Sequence, residues 1–294
     1  MFEGFTGRIV NADGGSIFAR VGGDGPPLLL LHGFPQTHVM WWKIAEPLAE
    51  HFTVVTADLR GYGASAKPTS TADHAPYCKR AMGIEMVAVM AKLGFDAFAI
   101  AGHDRGGRLA YRMALDHPQH VRRLSVLDIV PTSTAFDNAD MRFALGFWPW
   151  SLLAQDEPFP ERLIMADPEI IVEHPLNTWS NDPDAFPQDI RAAYIEQFRN
   201  SDTVHAVCEE YRAAASLDYQ HDKADVGRKK IMAPTQVLWS ATGAIANWYE
   251  DALEVWRDWA VDVSGRPINC GHFLPEEAPD ETLDLLVSFF RQSD

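Results

Sequence analysis

Cysteine is scarce in this chain of 294 residues: Cys78, Cys208 and Cys270 are odd in number and widely spaced. That excludes a disulfide framework, and no spacing among them suggests a metal site. Positive charge is also short, with 25 Lys and Arg against 41 Asp and Glu and a formal net charge of -16. So acidic a surface argues against nucleic acid or an anionic membrane as partner, since like charges repel wherever salt does not screen them. An anionic substrate would need locally placed cations. No apolar run is long enough to cross a bilayer, and Met1-Phe2-Glu3-Gly4 lacks a basic region leading into an apolar stretch. With the cysteine usage, these absences lead to the expectation of a cytoplasmic protein. There is no internal repeat or low-complexity tract.

What is present suits one large α/β core. Hydrophobic residues make up 47% and charged residues 22%, enough to bury a single domain with an inserted lid. Gly7 to Ala12 and Ser16 to Val21 flank Asp13-Gly14-Gly15 and read as an edge hairpin. Short apolar runs at Pro27 to Leu31, Phe52 to Ala57, Phe95 to Ala101, Val121 to Leu127 and Thr235 to Trp239, with a weaker one at Val261 to Val263, read as strands. Helical spacing covers Trp41 to Ala49, Ala81 to Leu93, Leu109 to Leu115 and about Pro279 to Phe290. Such alternation predicts a mostly parallel twisted sheet with ligands beyond the strand carboxyl ends. From Thr132 to about Asp222 the rhythm changes to tryptophan, proline and helical runs, including Arg191 to Asn200 and Thr203 to Ala215. Residues 132–222 are therefore expected to form a helical cap on a core of 1–131 and 223–294.

The sharpest feature is Gly102-His103-Asp104-Arg105-Gly106-Gly107-Arg108 between a strand and a helix. The glycine spacing is that of a nucleophile elbow, G-x-S-x-G, with aspartate in place of serine. The replacement dictates chemistry. A serine that displaced a leaving group from saturated carbon would leave an ether, whereas a carboxylate leaves an ester that water can cleave. Asp104 therefore points to dehalogenation or epoxide opening.

Its partners lie on the same rim. Asp128 ends the Val121 to Leu127 run, where a carboxylate can orient a histidine, and His272 in Gly271-His272-Phe273 is the candidate base. Many sequences of this type keep the acid one strand later, but Ser240 to Ala246 contains no carboxylate, so Asp128 is favoured by elimination and Asp251 is a distant reserve. His32-Gly33-Phe34-Pro35 follows a buried strand, and the Phe34 amide is a candidate oxyanion donor beside that of Arg105. The His32 imidazole is as readily structural as functional. Asp58 and Arg60 read as loop scaffolding, and Arg112 as an exposed helix residue. Trp148 and Trp179 are possible pocket walls that spacing alone does not decide.

These motifs, with Glu210-Tyr211-Arg212-Ala213-Ala214-Ala215, resemble the haloacetate (fluoroacetate) dehalogenase family of the α/β-hydrolase superfamily over nearly the whole chain. Asp104-Arg105-Gly106-Gly107-Arg108 is the most specific likeness, since related epoxide hydrolases and haloalkane dehalogenases usually carry tryptophan after the nucleophile. The resemblance implies a small anionic haloacid substrate, with Arg105 and Arg108 clamping its carboxylate. Asp104 would form the ester, and His272, oriented by Asp128, would activate water. It implies no metal or organic cofactor, and a homodimer. Trp150 and Tyr211 match two members of the family's halide-binding trio, but Pro149 stands where its histidine would be. Proline has no donor to offer, so chloride or bromide is expected to leave more readily than fluoride. The rival readings are an epoxide hydrolase with the same nucleophile and, less favoured, a non-catalytic ligand-binding relative.

Overall fold

The buried strands form where the apolar runs stand, and their register decides which side chains meet. In the computed structural model, which describes residues 1–292, eight strands make one sheet: β1 (Thr6–Ala12), β2 (Gly15–Gly22), β3 (Pro27–Leu31), β4 (Thr53–Ala57), β5 (Phe98–His103), β6 (Val121–Leu127), β7 (Thr235–Ser240) and β8 (Val263–Ile268). Their order is β1-β2-β4-β3-β5-β6-β7-β8. β1 and β2 form the antiparallel edge hairpin and β2 runs antiparallel to β4, while the remaining pairs are parallel. Leu28 to Leu31 are fully buried, as expected of a central parallel strand covered on both faces. The helices Lys79–Lys92 and Asp104–Asp116 pack on one another, as do Ala45–Ala49 and Pro279–Phe290.

Register places the functional rim. Leu31 is paired with Gly102, His103 with Leu127, and Leu127 with Leu238. The chain therefore leaves β3, β5, β6 and β7 at nearly one level, and Asp104 and Asp128 follow directly from adjacent paired positions. The helix after β5 can start so close to β3 only because Gly106 has no side chain. A Cβ there would lie 2.4 Å from the carbonyl oxygens of both Leu31 and His32, closer than any backbone adjustment tolerates cheaply.

Two expectations need correction. The last strand was expected at Val261 to Val263 but runs Val263–Ile268. Gly265 and Pro267 obscure it, yet an edge strand paired on one side only accommodates both, and half of its residues are exposed. The single helix expected over Trp41 to Ala49 is two pieces, a 3₁₀ turn at His38–Trp41 and the helix Ala45–Ala49. Pro47 lacks the amide that a longer helix would use, so it is confined to a first turn. Between β6 and β7 the chain is helical throughout, from Thr132–Asp137 to Tyr219–Asp225, and residue 222 falls inside the last of these helices. No described helix is long and apolar enough to cross a membrane.

Candidate active site

Both acidic candidates sit in backbone conformations that side chains avoid. Among the described residues, four other than glycine have positive φ, and two of them are Asp104 at +45° and Asp128 at +53°. Left-handed backbone at a non-glycine residue costs roughly 1–3 kcal/mol and persists only where the surroundings impose it. At Asp104 the turn from β5 into the helix Asp104–Asp116 imposes it, and the carboxylate is thereby turned toward the β3 exit loop. The Phe34 amide donates to Asp104 Oδ1 at 2.8 Å. Gly33 admits this approach, since a Cβ there would lie 2.5 Å from the Asp104 Cβ. Arg105 follows in the first helical turn, whose amides have no intrahelical acceptor.

Asp128, His272 and the β7 exit form the second half. Asp128 Oδ2 lies 2.6 Å from His272 Nδ1, and Oδ1 accepts the Ser240 amide at 2.9 Å. Nδ1–H therefore faces the carboxylate, while the buried Nε2 has no partner and is free to take a proton. Burial acts to lower the His272 pKa, but the Asp128 hydrogen bond and the charges of Asp128 and Asp104 more than offset it, leaving the imidazole above its ordinary value. Burial likewise works to raise the Asp104 carboxyl; the positive charges of His272, His103, Arg105 and Arg108 outweigh it and hold the group below the usual carboxylate value.

The two arginines are the buried cations of this site, Arg105 fully buried and Arg108 at 2% exposure. Arg105 donates from Nε to Glu210 Oε1 at 3.1 Å and from Nη2 to the Glu210 carbonyl at 3.3 Å; its buried Nη1 has no partner. Arg108 has no carboxylate within ion-pairing distance among the described residues. Its Nη1 donates to the Val130 carbonyl at 2.8 Å and more weakly to Thr132 Oγ1 at 3.4 Å, and its buried Nε is unpaired. The Arg105 guanidinium lies 4.2 Å from the Tyr211 ring centre, and that of Arg108 lies 4.3 Å from the Trp150 ring centre. The structure thus brings Asp104, Phe34, Arg105, Arg108, Trp150 and Tyr211 together, with Asp128 and His272 alongside.

Several secondary readings resolve differently. His32 is structural: Nε2 accepts the Leu59 amide at 3.0 Å and Nδ1 lies 3.0 Å from the Gly33 carbonyl. Asp58 ties His38 to Ala64, and Arg60 pairs with Glu85, as scaffolding should. Arg112 is not exposed; it is buried and bound to Asp222 and Asp225. Asp251 caps the helix Ala252–Arg257 at the surface. Trp179 stands 5.6 Å from His272 ring to ring, whereas Trp148 packs on His174.

Sequence reasoning missed two supporting residues and left a third undecided. Glu210 is wholly buried, shared by Arg105, Lys79 and the Tyr62 hydroxyl at 2.7 Å. A glutamate directly before Tyr211, one turn after Ala206, Val207 and Cys208, was the available signal. Glu277 accepts the amides of Asn181 at 2.7 Å, Gly271 at 2.9 Å and Phe273 at 2.9 Å, and nothing in its spacing marked it. The third is Trp179, which spacing alone did not decide and whose carbonyl accepts the His272 amide at 2.8 Å.

Comparison with known proteins places the chain in a family. A family profile described as the alpha/beta hydrolase fold matches residues 26–279, and the chain belongs to that family. It is 41% identical over 290 residues to the fluoroacetate dehalogenase of a Burkholderia species, covering 98% of this chain and 95% of that one. It is 30% identical over 272 residues to the soluble epoxide hydrolase of Corynebacterium sp. (strain C12), covering 91% of each. The crystal structure of ALR0039 from Nostoc sp PCC 7120 superposes over 100% of both chains with a TM-score of 0.97 at 47% identity.

The charge network makes a stability prediction. Glu210→Gln leaves Lys79 and Arg105 buried without their counter-charge and is expected to cost about 3–5 kcal/mol. Tyr62→Phe removes one hydrogen bond to a charged group and should cost about 1.5–3 kcal/mol. Urea midpoints at unchanged slope measure both.

Proposed function

We propose that this enzyme hydrolyses the carbon–halogen bond of a short 2-haloacid, converting a haloacetate to glycolate and halide. The observation that carries the reading is Arg108: a buried guanidinium without an ion pair, beside a second with a free N–H, both next to Asp104. Buried cations are paired, and a substrate carboxylate supplies the pair. A bidentate clamp also turns the α-carbon toward Asp104 for in-line attack. A neutral epoxide would leave both donors unsatisfied.

In the first step an Asp104 oxygen bonds to the α-carbon as the carbon–halogen bond breaks and the halide departs with its electron pair. Oδ1, already held by the Phe34 amide, becomes the ester carbonyl oxygen, with the Arg105 amide in the same first turn as a second donor. In the second step His272 Nε2 takes a proton from water, and the hydroxide adds to the ester carbonyl carbon. Collapse returns the Asp104 carboxylate and frees glycolate. Forming the ester removes the Asp104 charge, one of the causes holding the His272 pKa up, so the imidazole releases its proton more readily at the moment a neutral base is required.

Residues 132–222 act as the cap that contributes Trp150 and Tyr211 to the departing halide. Pro149 stands in the first turn of the helix Trp148–Leu152, where its missing amide is tolerated but where it offers the halide nothing. Exposed apolar side chains on the same helical segment, Met141, Leu145, Phe159, Leu163 and Ile170, support assembly as a homodimer through that segment.

The second reading, epoxide hydrolysis, is favoured by the similarity to the Corynebacterium enzyme. It calls for tyrosines that protonate an alkoxide, and Tyr194 and Tyr219 are engaged with Glu276 and Asp137. That leaves Tyr211 as the candidate.

Mass spectrometry of His272→Asn after exposure to chloroacetate should find a carboxymethyl increment on the peptide carrying Asp104. An unmodified peptide together with diol formation from a neutral epoxide by the unmodified enzyme would replace this reading with the second. Halide release should be faster from chloroacetate and bromoacetate than from fluoroacetate, because one absent charge-stabilising donor costs about 2–4 kcal/mol where it is most needed. The pH dependence follows from His272: protonated, it cannot take the proton of water, so activity falls as pH drops through the His272 titration. In single-turnover ester hydrolysis the acid limb should lie at lower pH than the His272 titration followed by NMR in the free enzyme.

A further inference from the structure

We propose that Cys78, Asp218 and His221 form a binding site for one zinc-type divalent cation, a site the proposed reaction does not use. The three come from two distant parts of the chain. Cys78 directly precedes the helix Lys79–Lys92. Asp218 and His221 lie on the continuous helical run in which the π turn Ala214–Asp218 passes into the helix Tyr219–Asp225. Residues three apart on a helix share a face, so the Asp-x-x-His spacing aims a carboxylate and an imidazole the same way, as carboxylate and histidine do in helical metal sites. One ligand atom from each of the three residues lies within 4.8 Å of the others. Widened turns of this kind are frequent at functional positions.

The second observation is that two of the three residues keep a buried polar atom unspent. Asp218 is buried, its Oδ1 accepts the Lys79 amide at 2.8 Å, and its buried Oδ2 has no partner. His221 Nδ1 is likewise buried without a partner. The neighbouring cations are committed elsewhere: Lys79 to Glu210, Arg112 to Asp222 and Asp225, and Arg80 to Asp116 and Asp225. A buried carboxylate and an imidazole that each keep an orphaned atom, clustered with a thiol, form a group that a cation completes.

The donor set selects the ion. Thiolate, imidazole and carboxylate suit Zn²⁺ in a tetrahedron whose fourth corner is water, whereas Ca²⁺ and Mg²⁺ require oxygen-rich shells that these residues do not provide. Binding replaces the thiol proton, so one proton leaves as the ion enters, and thiolate plus carboxylate neutralise the dication. The ion would tie the helix Lys79–Lys92 to the helical segment that carries Glu210 and Tyr211.

The test is calorimetric titration of the chelator-dialysed full chain with zinc chloride, in excess Mg²⁺ to occupy exposed carboxylates. One ion per chain with proton release is expected, together with a rise in Tm on zinc addition. Affinity should fall at least about tenfold in Cys78→Ser and in His221→Ala. Cobalt(II) in place of zinc should give a thiolate-to-metal charge-transfer band that Cys78→Ser abolishes and that Cys208→Ser and Cys270→Ser retain. No saturable uptake by the unmodified chain, uptake undiminished in both variants, or a cobalt band that survives Cys78→Ser would each overturn the assignment.

Discussion

A carboxylate asked to attack the carbon next to another carboxylate faces Coulomb repulsion that a dry pocket magnifies, since the interaction grows as the dielectric falls. The same dryness makes a guanidinium expensive unless it finds an anion. The buried surroundings of Asp104 place these two penalties against each other. Arg105 is stabilised by Glu210, which, with burial acting the other way, holds its proton firmly. Arg108 lacks such a partner, and burial lowers its pKa with Arg105 adding to the effect and Asp104 opposing it. The site without substrate is therefore electrostatically incomplete, and completing it with an anion is what would give the proposed reaction its selectivity and its geometry.

Holding such a pocket needs a rigid frame. The strand register sets Asp104 and Asp128 at one level, and the glycines at 33 and 106 let two chain segments approach more closely than any side chain would allow. Both acids occupy left-handed backbone, so the cost of strain is borne at the two positions where direction of the carboxylate matters most. Glu210 does the corresponding work from the helical segment, where one buried carboxylate fixes a lysine, an arginine and a tyrosine from three separate stretches of the chain.

Much of this was legible in the sequence because it is local. Pro27–Leu31, Val121–Leu127 and Pro279–Phe290 appear at the expected bounds, since each is a sustained apolar pattern between clear breakers. Asp104, Asp128 and His272 could be read from glycine spacing and strand ends. Val263–Ile268 could not, because an edge strand carries little apolar signal and tolerates the glycine and proline that usually deny strand. Arg112 was misplaced for a related reason: helical spacing says which residues share a face, but only the arrival of Asp222 and Asp225 from a remote helix turns that face inward. Glu210, Lys79 and Glu277 act through partners distant in the chain, information that no local pattern holds.

Glu277 joins the two halves of the molecule most directly. Its carboxylate receives amides from Gly271 and Phe273 on either side of His272 and from Asn181 on the helical segment, while the Trp179 carbonyl holds the His272 amide itself. Three amides on one carboxylate form a strong, charge-assisted clamp. The loop that carries the candidate base is thus fastened to the segment that carries Trp150 and Tyr211, and Trp179 stands between them. Any displacement of the helical segment must then be shared by the imidazole, so in the proposed reaction the leaving group and the base would be positioned through one mechanical connection.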